Sequence, residues 1–341
     1  MSDLSGYQVV LAARPDGMAR QSDFRLEPFV VPEPGAGEVL LAVQYLSLDP
    51  YMRGRMGDRR AYAEPVKIGA VMPGGSISTV LRSNHPDYRP GELVFCYTGW
   101  RTHAVVGSAL LTKLNPAQTP PTTALGALGM PGFTAYCGLY LFGKPAPGET
   151  VVVAAACGPV GSMVGQLAKI AGARAVGIAG GPEKCAYVKE ELGFDEAVDH
   201  RAPDFRAKLA SACANGIDIY SENVGGKVWQ AVLPLLNKFA RVPISGLISQ
   251  YDGKQEDDLA GQLSGTMNEI LFKSLTLRGF INGDYADAHY ADFLRDVSKW
   301  IAEGRIRYCE DIVEGIENAP EAFLGLLNGR NFGKLLVRIA H

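Results

Sequence analysis

The sequence predicts an α/β chain of two domains, a small β domain followed by a doubly wound parallel sheet. Three observations predict it. Before Gly129, short apolar runs alternate with Gly/Pro turns. After Gly129, apolar runs alternate with segments of helical period, the texture of βαβ units. Between the two, Val151-Val152-Val153 runs through alanines into Ala156-x-Gly158-x-x-Gly161. With 341 residues, each domain can bury its own core.

In the first domain, strands are expected at Gly6–Leu11, Glu38–Val43, Gly75–Val80 and Leu93–Phe95, bounded by Pro34-Gly35, Pro73-Gly74 and Pro90-Gly91. Runs this short suggest a compact barrel-like unit. It spans residues 1–126 and is completed by 305–341, with Leu335–Ile339 returning to it as a strand. The second domain spans 127–304. After the glycine turn it is expected to run as strand Ala175–Ala179, helix Glu183–Leu192, strand Ala197–Asp199, helix Asp204–Ala214 and strand Ile217–Tyr220. Helix Lys227–Leu236, strand Phe239–Ile244 and a final strand Leu275–Ile281 follow. Residues 252–266 read as a surface excursion.

The β-branched run before the glycines is a strand buried on both faces. Val160, Val164, Leu167, Ala168 and Ala171 then keep the spacing of a helix stripe. Strand, glycine-rich turn and helix in that order bring backbone N–H groups and a helix N-terminus to a pyrophosphate. The expected ligand is a nicotinamide dinucleotide. Its type follows from an omission. Folds that bind NAD commonly end the second strand with an acid that holds the ribose hydroxyls. Here that tip is Ile178-Ala179-Gly180-Gly181, and Lys184 follows. Small residues leave room for a 2′-phosphate and an ammonium neutralises it, so NADP(H) is expected. Glu183 reads as a first-turn helix acid.

Composition narrows the class further. Hydrophobic residues make up 47% and charged residues 20%. A net charge of −3 and a pI near 6.0 leave no electrostatic footprint for nucleic acid or anionic membranes. No apolar run is long enough to span a bilayer, and Met1–Gly6 lacks the regions of a signal peptide. The six cysteines (96, 137, 157, 185, 213 and 309) form no CxxC pair. They read as reduced thiols of a cytoplasmic enzyme.

At this point the chain resembles the zinc-free branch of the medium-chain dehydrogenases/reductases, which holds prostaglandin, curcumin and alkenal double-bond reductases. The motifs that carry the resemblance are Leu48–Arg53, Leu128–Tyr136, Ala155–Gly161 and Glu183-Lys184. Glu222–Gly226, Ile248–Tyr251 and Asn331–Lys334 complete it, nearly end to end. The resemblance implies a GroES-like β domain joined to a Rossmann domain. It implies a phosphate loop at Gly158, Pro159, Val160 and Gly161, and a 2′-phosphate lysine at Lys184. Asn223 matches the asparagine of the family's D-N-V-G-G motif, with Glu222 in place of the aspartate. The wall of the nicotinamide falls on Ser245, Gly246, Leu247, Ile248, Ser249, Gln250 and Tyr251, with Phe280, Ile281 and Asn282 beyond it. Asn331 matches a cofactor-contacting asparagine. The family's tyrosine beside the adenosine phosphate falls on His200, which donates to phosphate most strongly when protonated. A homodimer is implied as well.

No metal is expected. Asp49 and Pro50 occupy the early loop, and Met72-Pro73-Gly74-Gly75 stands where a Gly-His-Glu zinc ligand set belongs. The five histidines form no spaced cluster with cysteines. Activation of a substrate carbonyl then falls to a hydrogen-bond donor, and a phenol suits an apolar pocket. Tyr251 is the first candidate and Tyr51 the second, with the cofactor ribose hydroxyl as a rival. Cys157 reads as a small buried residue beneath the cofactor. Arg53 and Arg55 read equally as guides for an anionic substrate or as a solvated pair. The expected activity is NADPH-dependent reduction of α,β-unsaturated aldehydes and ketones. The alternatives are a quinone oxidoreductase of the same branch and a non-enzymatic NADPH-binding or structural protein.

Overall fold

A computed structural model describes residues 4–58, 63–252 and 259–339. The chain divides into two compact units. The first runs to Leu125 and takes up Glu310–Asn331 and the segment from Leu335; the second holds Gly126–Cys309 and Phe332–Lys334.

The first unit opens with an antiparallel hairpin of β1 (Ser5–Leu11) and β2 (Phe24–Val30). Its main sheet is built on β3 (Glu38–Ser47), whose Val39–Val43 is buried throughout. After α1 (Tyr51–Met56) come β4 (Ser76–Ser83), β5 (Leu93–Cys96), β6 (His103–Gly107) and β7 (Thr112–Lys113). β3 pairs antiparallel with both β4 and β6. The core centres on Trp100, stacked on Phe24 at 5.7 Å and edge-on to Phe323 at 5.5 Å.

In the second unit, α2 (Met130–Tyr136) leads to β8 (Thr150–Ala154), buried at every position. Val151 and Val153 enter one core, with Leu167 and Phe293. Val152 and Ala154 enter the opposite one, with Leu209 and Val232. Alternate side chains leave a strand on opposite faces, so a strand covered on both reads as one apolar run. α3 (Pro159–Ile170) follows, and β9 (Arg174–Ala179), α4 (Pro182–Glu190), β10 (Glu196–Asp199), α5 (Phe205–Ala212) and β11 (Ile217–Ser221) keep within two residues of the expected ends. Among the described residues the sheet is six-stranded and parallel, in the order β10-β9-β8-β11-β12-β13. The reversal at β8 makes it doubly wound.

Four expectations in this unit are corrected. α6 (Gly226–Val232) stops short of Leu236, because Pro234 has no N–H for a helical bond, and Leu233–Leu235 tightens into a 3-10 turn. β12 therefore starts early, at Leu236–Ile244. The excursion at 252–266 falls partly outside the described residues, but from residue 259 it is α7 (Leu259–Lys273). β13 (Thr276–Gly279) is shorter than Leu275–Ile281 and forms the sheet edge. α8 (Ala286–Ala302) buries Phe293 and Val297. The chain then returns to the first unit with β14 (Glu310–Glu314), α9 (Ala319–Leu327) and β15 (Lys334–Arg338), which pairs antiparallel with β3. Among the described residues, no helix is long and apolar enough to cross a membrane.

Candidate active site

The carboxyl ends of the parallel strands of the second unit carry three loops of interest. The first follows β8. Ala155 sits in the left-handed region at φ 52°, a conformation costing a non-glycine residue about 1–2 kcal/mol. Its carbonyl accepts the Gly158 N–H at 2.9 Å. A Cβ on Gly161 would lie 2.3 Å from that same carbonyl oxygen, so only glycine fits. Pro159, which has no N–H, starts α3, leaving the Val160 and Gly161 amides at the positive end of the helix. This geometry fits a pyrophosphate. Cys157 is buried beside the loop. Burial pushes its thiol up, only partly offset by the Gly333 N–H and the Lys184 charge, so it is an inert packing group.

The second loop group joins the tips of β9 and β10. The carboxylate of Asp199 accepts the N–H groups of Gly181 and Arg201, each at 2.9 Å. Burial alone would raise this acid, but those bonds and the charges of His200 and Arg201 hold it below the usual range. A Cβ on Gly180 would lie 3.0 Å from both His200 Nε2 and Arg201 Nε. Half-buried Lys184 stands close enough to act on His200. His200 keeps an exposed edge, yet crowding of its ring by protein, then Arg201 and Lys184, hold its pKa down against the pull of Asp199. Lys184 and His200, anticipated from the sequence, thus share one spot. Arg201 was not anticipated; only the pairing of β10 with β9 brings it to Gly180. A bare backbone ringed by cations fits a phosphate.

The third group joins the ends of β11 and β12. Glu222 is buried; its Oε1 accepts Tyr220 Oη and the N–H groups of Val224 and Gly225, while Oε2 is buried without a partner among the described residues. Burial raises its pKa despite these donors. The Asn223 amide spans two strand ends, donating to Ala154 O at 3.1 Å and accepting from Ser245 Oγ. The Ser249 hydroxyl donates to Val224 O at 2.6 Å, and Ile248 N donates to Asn223 O. Ser245–Tyr251 is thereby laced to Asn223–Gly225. Tyr251 folds back so that its Oη accepts the Leu247 N–H at 3.4 Å, beside the bare Cα of Gly246. That contact uses the oxygen and not the phenolic hydrogen. Burial pushes the phenol up, so it holds its proton at neutral pH. The Gln250 side chain lies against Gly225. Beyond this loop, Phe280 N donates to Ile244 O, Ile281 is exposed, and the Asn282 amide donates to Met130 O at 3.2 Å.

The remaining candidates lie in the first unit. Tyr51 begins α1 and packs half-buried on that unit's core. Arg53 is buried and donates to Gly17 O, and Arg55 donates to Glu64 O at 2.9 Å. Burial takes Arg53 out of a solvated surface pair. Asn331, half-buried, lines a cavity with Asp311, Asn318 and Arg330.

Residues 7–114 match the family model described as the N-terminal domain of oxidoreductase, and residues 159–301 match that of zinc-binding dehydrogenase. The chain is 51% identical to the NADPH-dependent curcumin reductase of Escherichia coli over 97% of its own length and 96% of the relative. The chain belongs to the medium-chain dehydrogenases/reductases. Other members are the 2-alkenal reductase (NADP(+)-dependent) of Nicotiana tabacum, 37% identical over 99% of this chain and 98% of that protein, and the bovine prostaglandin reductase 1, 39% identical over 94% and 95%. The crystal structure of CurA with NADPH from Vibrio vulnificus superposes with a TM-score of 0.95 at 50% identity, covering 98% of this chain and 99% of that one. Despite the name of the second family model, no three His, Cys, Asp or Glu side chains gather as a metal site among the described residues.

Proposed function

We propose that this medium-chain reductase uses NADPH to reduce the activated carbon–carbon double bond of α,β-unsaturated aldehydes and ketones. The observation that carries the reading is Tyr251: a neutral phenol on a loop at the carboxyl end of a Rossmann strand, its oxygen already engaged by Leu247 N–H. Bound NADPH supplies a hydride equivalent. The chain's residues do the rest. Gly158, Val160 and Gly161 anchor the pyrophosphate through backbone and helix end, and Lys184 and His200 hold the 2′-phosphate. Asn223 and Ser245 brace the loop, so Ser245–Tyr251 forms a fixed wall beside the reacting carbon, with Phe280 to Asn282 further out. Tyr251 donates its hydrogen bond to the carbonyl oxygen as negative charge develops there. The Leu247 N–H bonded to its oxygen makes the phenol a better donor. Tyr51 is the second candidate for this role.

The relatives' names supply the substrate class: a 2-alkenal has the conjugated C=C–C=O unit that such a donor activates. Side-by-side measurement of NADPH consumption with an alkenal and with a quinone tests the reading. Alkenal turnover with saturated product supports it. Turnover of the quinone alone moves the enzyme to quinone reduction, and turnover of neither leaves an NADPH-binding protein. We further infer a cytoplasmic homodimer. All six cysteines are free thiols. On α7, Leu263, Met267 and Leu271 recur every fourth residue and are 63%, 55% and 72% exposed, an apolar stripe that a second subunit would cover. Leu271→Asp should yield monomers by light scattering; an unchanged mass excludes this face.

A further inference from the structure

The strand-tip pocket holds more positive charge than a single phosphate lysine requires. His200 and Arg201 gather about Gly180, where Arg201 Nε and His200 Nε2 would each lie 3.0 Å from a Cβ on that residue, and Lys184 stands close enough to act on His200. Asp199 is turned to the backbone: it holds the N–H groups of Gly181 and Arg201, fixing one strand tip to the other. Like-charge repulsion from Arg201 and Lys184 adds to burial in holding the His200 pKa below its ordinary value. A group of about −1.5 to −2 charge with three acceptor oxygens relieves that repulsion. An arginine meets such a group differently from a lysine, because its planar fork donates two parallel hydrogen bonds.

We propose that Arg201 is a direct ligand of the adenosine 2′-phosphate and, with Lys184, sets the preference for NADPH over NADH. This rests on the reading above that NADPH is the cofactor.

The test is calorimetric binding of adenosine 2′,5′-bisphosphate and of 5′-AMP to the full chain, without turnover. The wild type should prefer the bisphosphate. Arg201→Gln, which keeps the stem and removes the charge, should raise the bisphosphate Kd about tenfold to a hundredfold and leave 5′-AMP nearly unchanged. Arg201→Lys should recover part of the loss, since a point charge replaces the fork. Arg201 is exposed, so the variants should fold as the wild type does. An independent readout is the proton NMR titration of His200, identified by the loss of its signal in His200→Asn: it should move to higher pH in Arg201→Gln. Equal losses for both ligands, or no loss for either, would overturn the role of Arg201. A wild type that binds both ligands equally would overturn the NADPH reading with it. Discrimination retained in Arg201→Gln removes Arg201 alone.

Discussion

Two ends of one sheet are built from opposite chemistry. The tips of β9 and β10 carry permanent charges, with Lys184 and Arg201 both close enough to act on His200. The ends of β11 and β12 carry neutral donors and acceptors, Asn223, Ser245, Ser249 and Tyr251, over the buried carboxyl of Glu222. At the charged end Arg201 is exposed, where a cation costs little to keep and is screened. The neutral end is half-buried, where a phenol keeps its proton and a hydrogen bond is worth more. The difference suits a division of labour, with cofactor choice at the charged end and activation of the substrate at the neutral one.

Breaking the neutral end should give the largest effect. Tyr251→Phe keeps the ring and removes the donor, and loss of one such donor costs on the order of 10²–10³ in kcat. The lower part of that range is expected, because the ribose hydroxyl remains as a second donor. NADPH binding should survive. Steady-state kinetics on one alkenal at saturating NADPH, with Tyr51→Phe in parallel, decide the matter. If only Tyr51→Phe is slow, the donor lies in the first unit; two wild-type rates leave the ribose as the donor.

Breaking the charged end should change affinity and leave the rate alone. Lys184→Ala removes a charge-assisted bond worth about 1.5–3 kcal/mol, which is roughly a tenfold to hundredfold rise in the NADPH dissociation constant. NADH, which has no 2′-phosphate, should bind as before. Equal losses for the two cofactors would mean that Lys184 does not reach the phosphate.

The buried acid beneath the neutral end should show itself in stability. Burial holds the Glu222 pKa above its ordinary 4.5, against the donors Val224, Gly225, Tyr220 and Asn223. A carboxyl raised in the folded state binds its proton more tightly there than in the unfolded chain. Its contribution is therefore complete below 4.5 and is lost as pH rises through the folded value. Glu222→Gln, neutral at every pH, should gain Tm on the wild type as pH rises through that window. Parallel Tm-against-pH curves would show that the carboxyl titrates as it does in the unfolded chain.

What was legible beforehand follows the same division. The glycine loop and the parallel sheet could be read because close approach and double burial leave few residue choices: glycine at 161, β-branched or small residues along β8. The missing acid after β9 could be read because charge near a phosphate is a choice between two signs. Arg201 could not, since its meaning depends on β10 lying beside β9, which brings residues 180 and 201 together. The helix α7 was hidden for another reason. Gly261 and Gly265 lower its local propensity, and its apolar stripe faces outward, so neither composition nor core packing announced it. The bracing role of Asn223 was out of reach as well, because both its partners, Ala154 and Ser245, are distant in sequence.

The finest distinction concerns His200. In the free enzyme it faces Arg201 and Lys184, both cations, and the anion Asp199, and burial together with the cations keeps its pKa below the ordinary 6.5. Near neutral pH the ring is then largely neutral. A bound 2′-phosphate favours the imidazolium and raises the pKa in the complex. The proton therefore strengthens binding most below the free-enzyme value, and the gain fades as pH rises through the bound-state value. The phosphate acts in the opposite sense, becoming dianionic above a pKa of about 6 and binding cations better there. Only a comparison separates the two. The ratio of the His200→Asn to the wild-type NADPH dissociation constant should rise as pH falls from about 8 to 6. Its size should be a few-fold, below that of Lys184→Ala, because the ring keeps an exposed edge and is screened. A ratio independent of pH would place His200 outside the phosphate pocket and leave the charged end to Lys184 and Arg201.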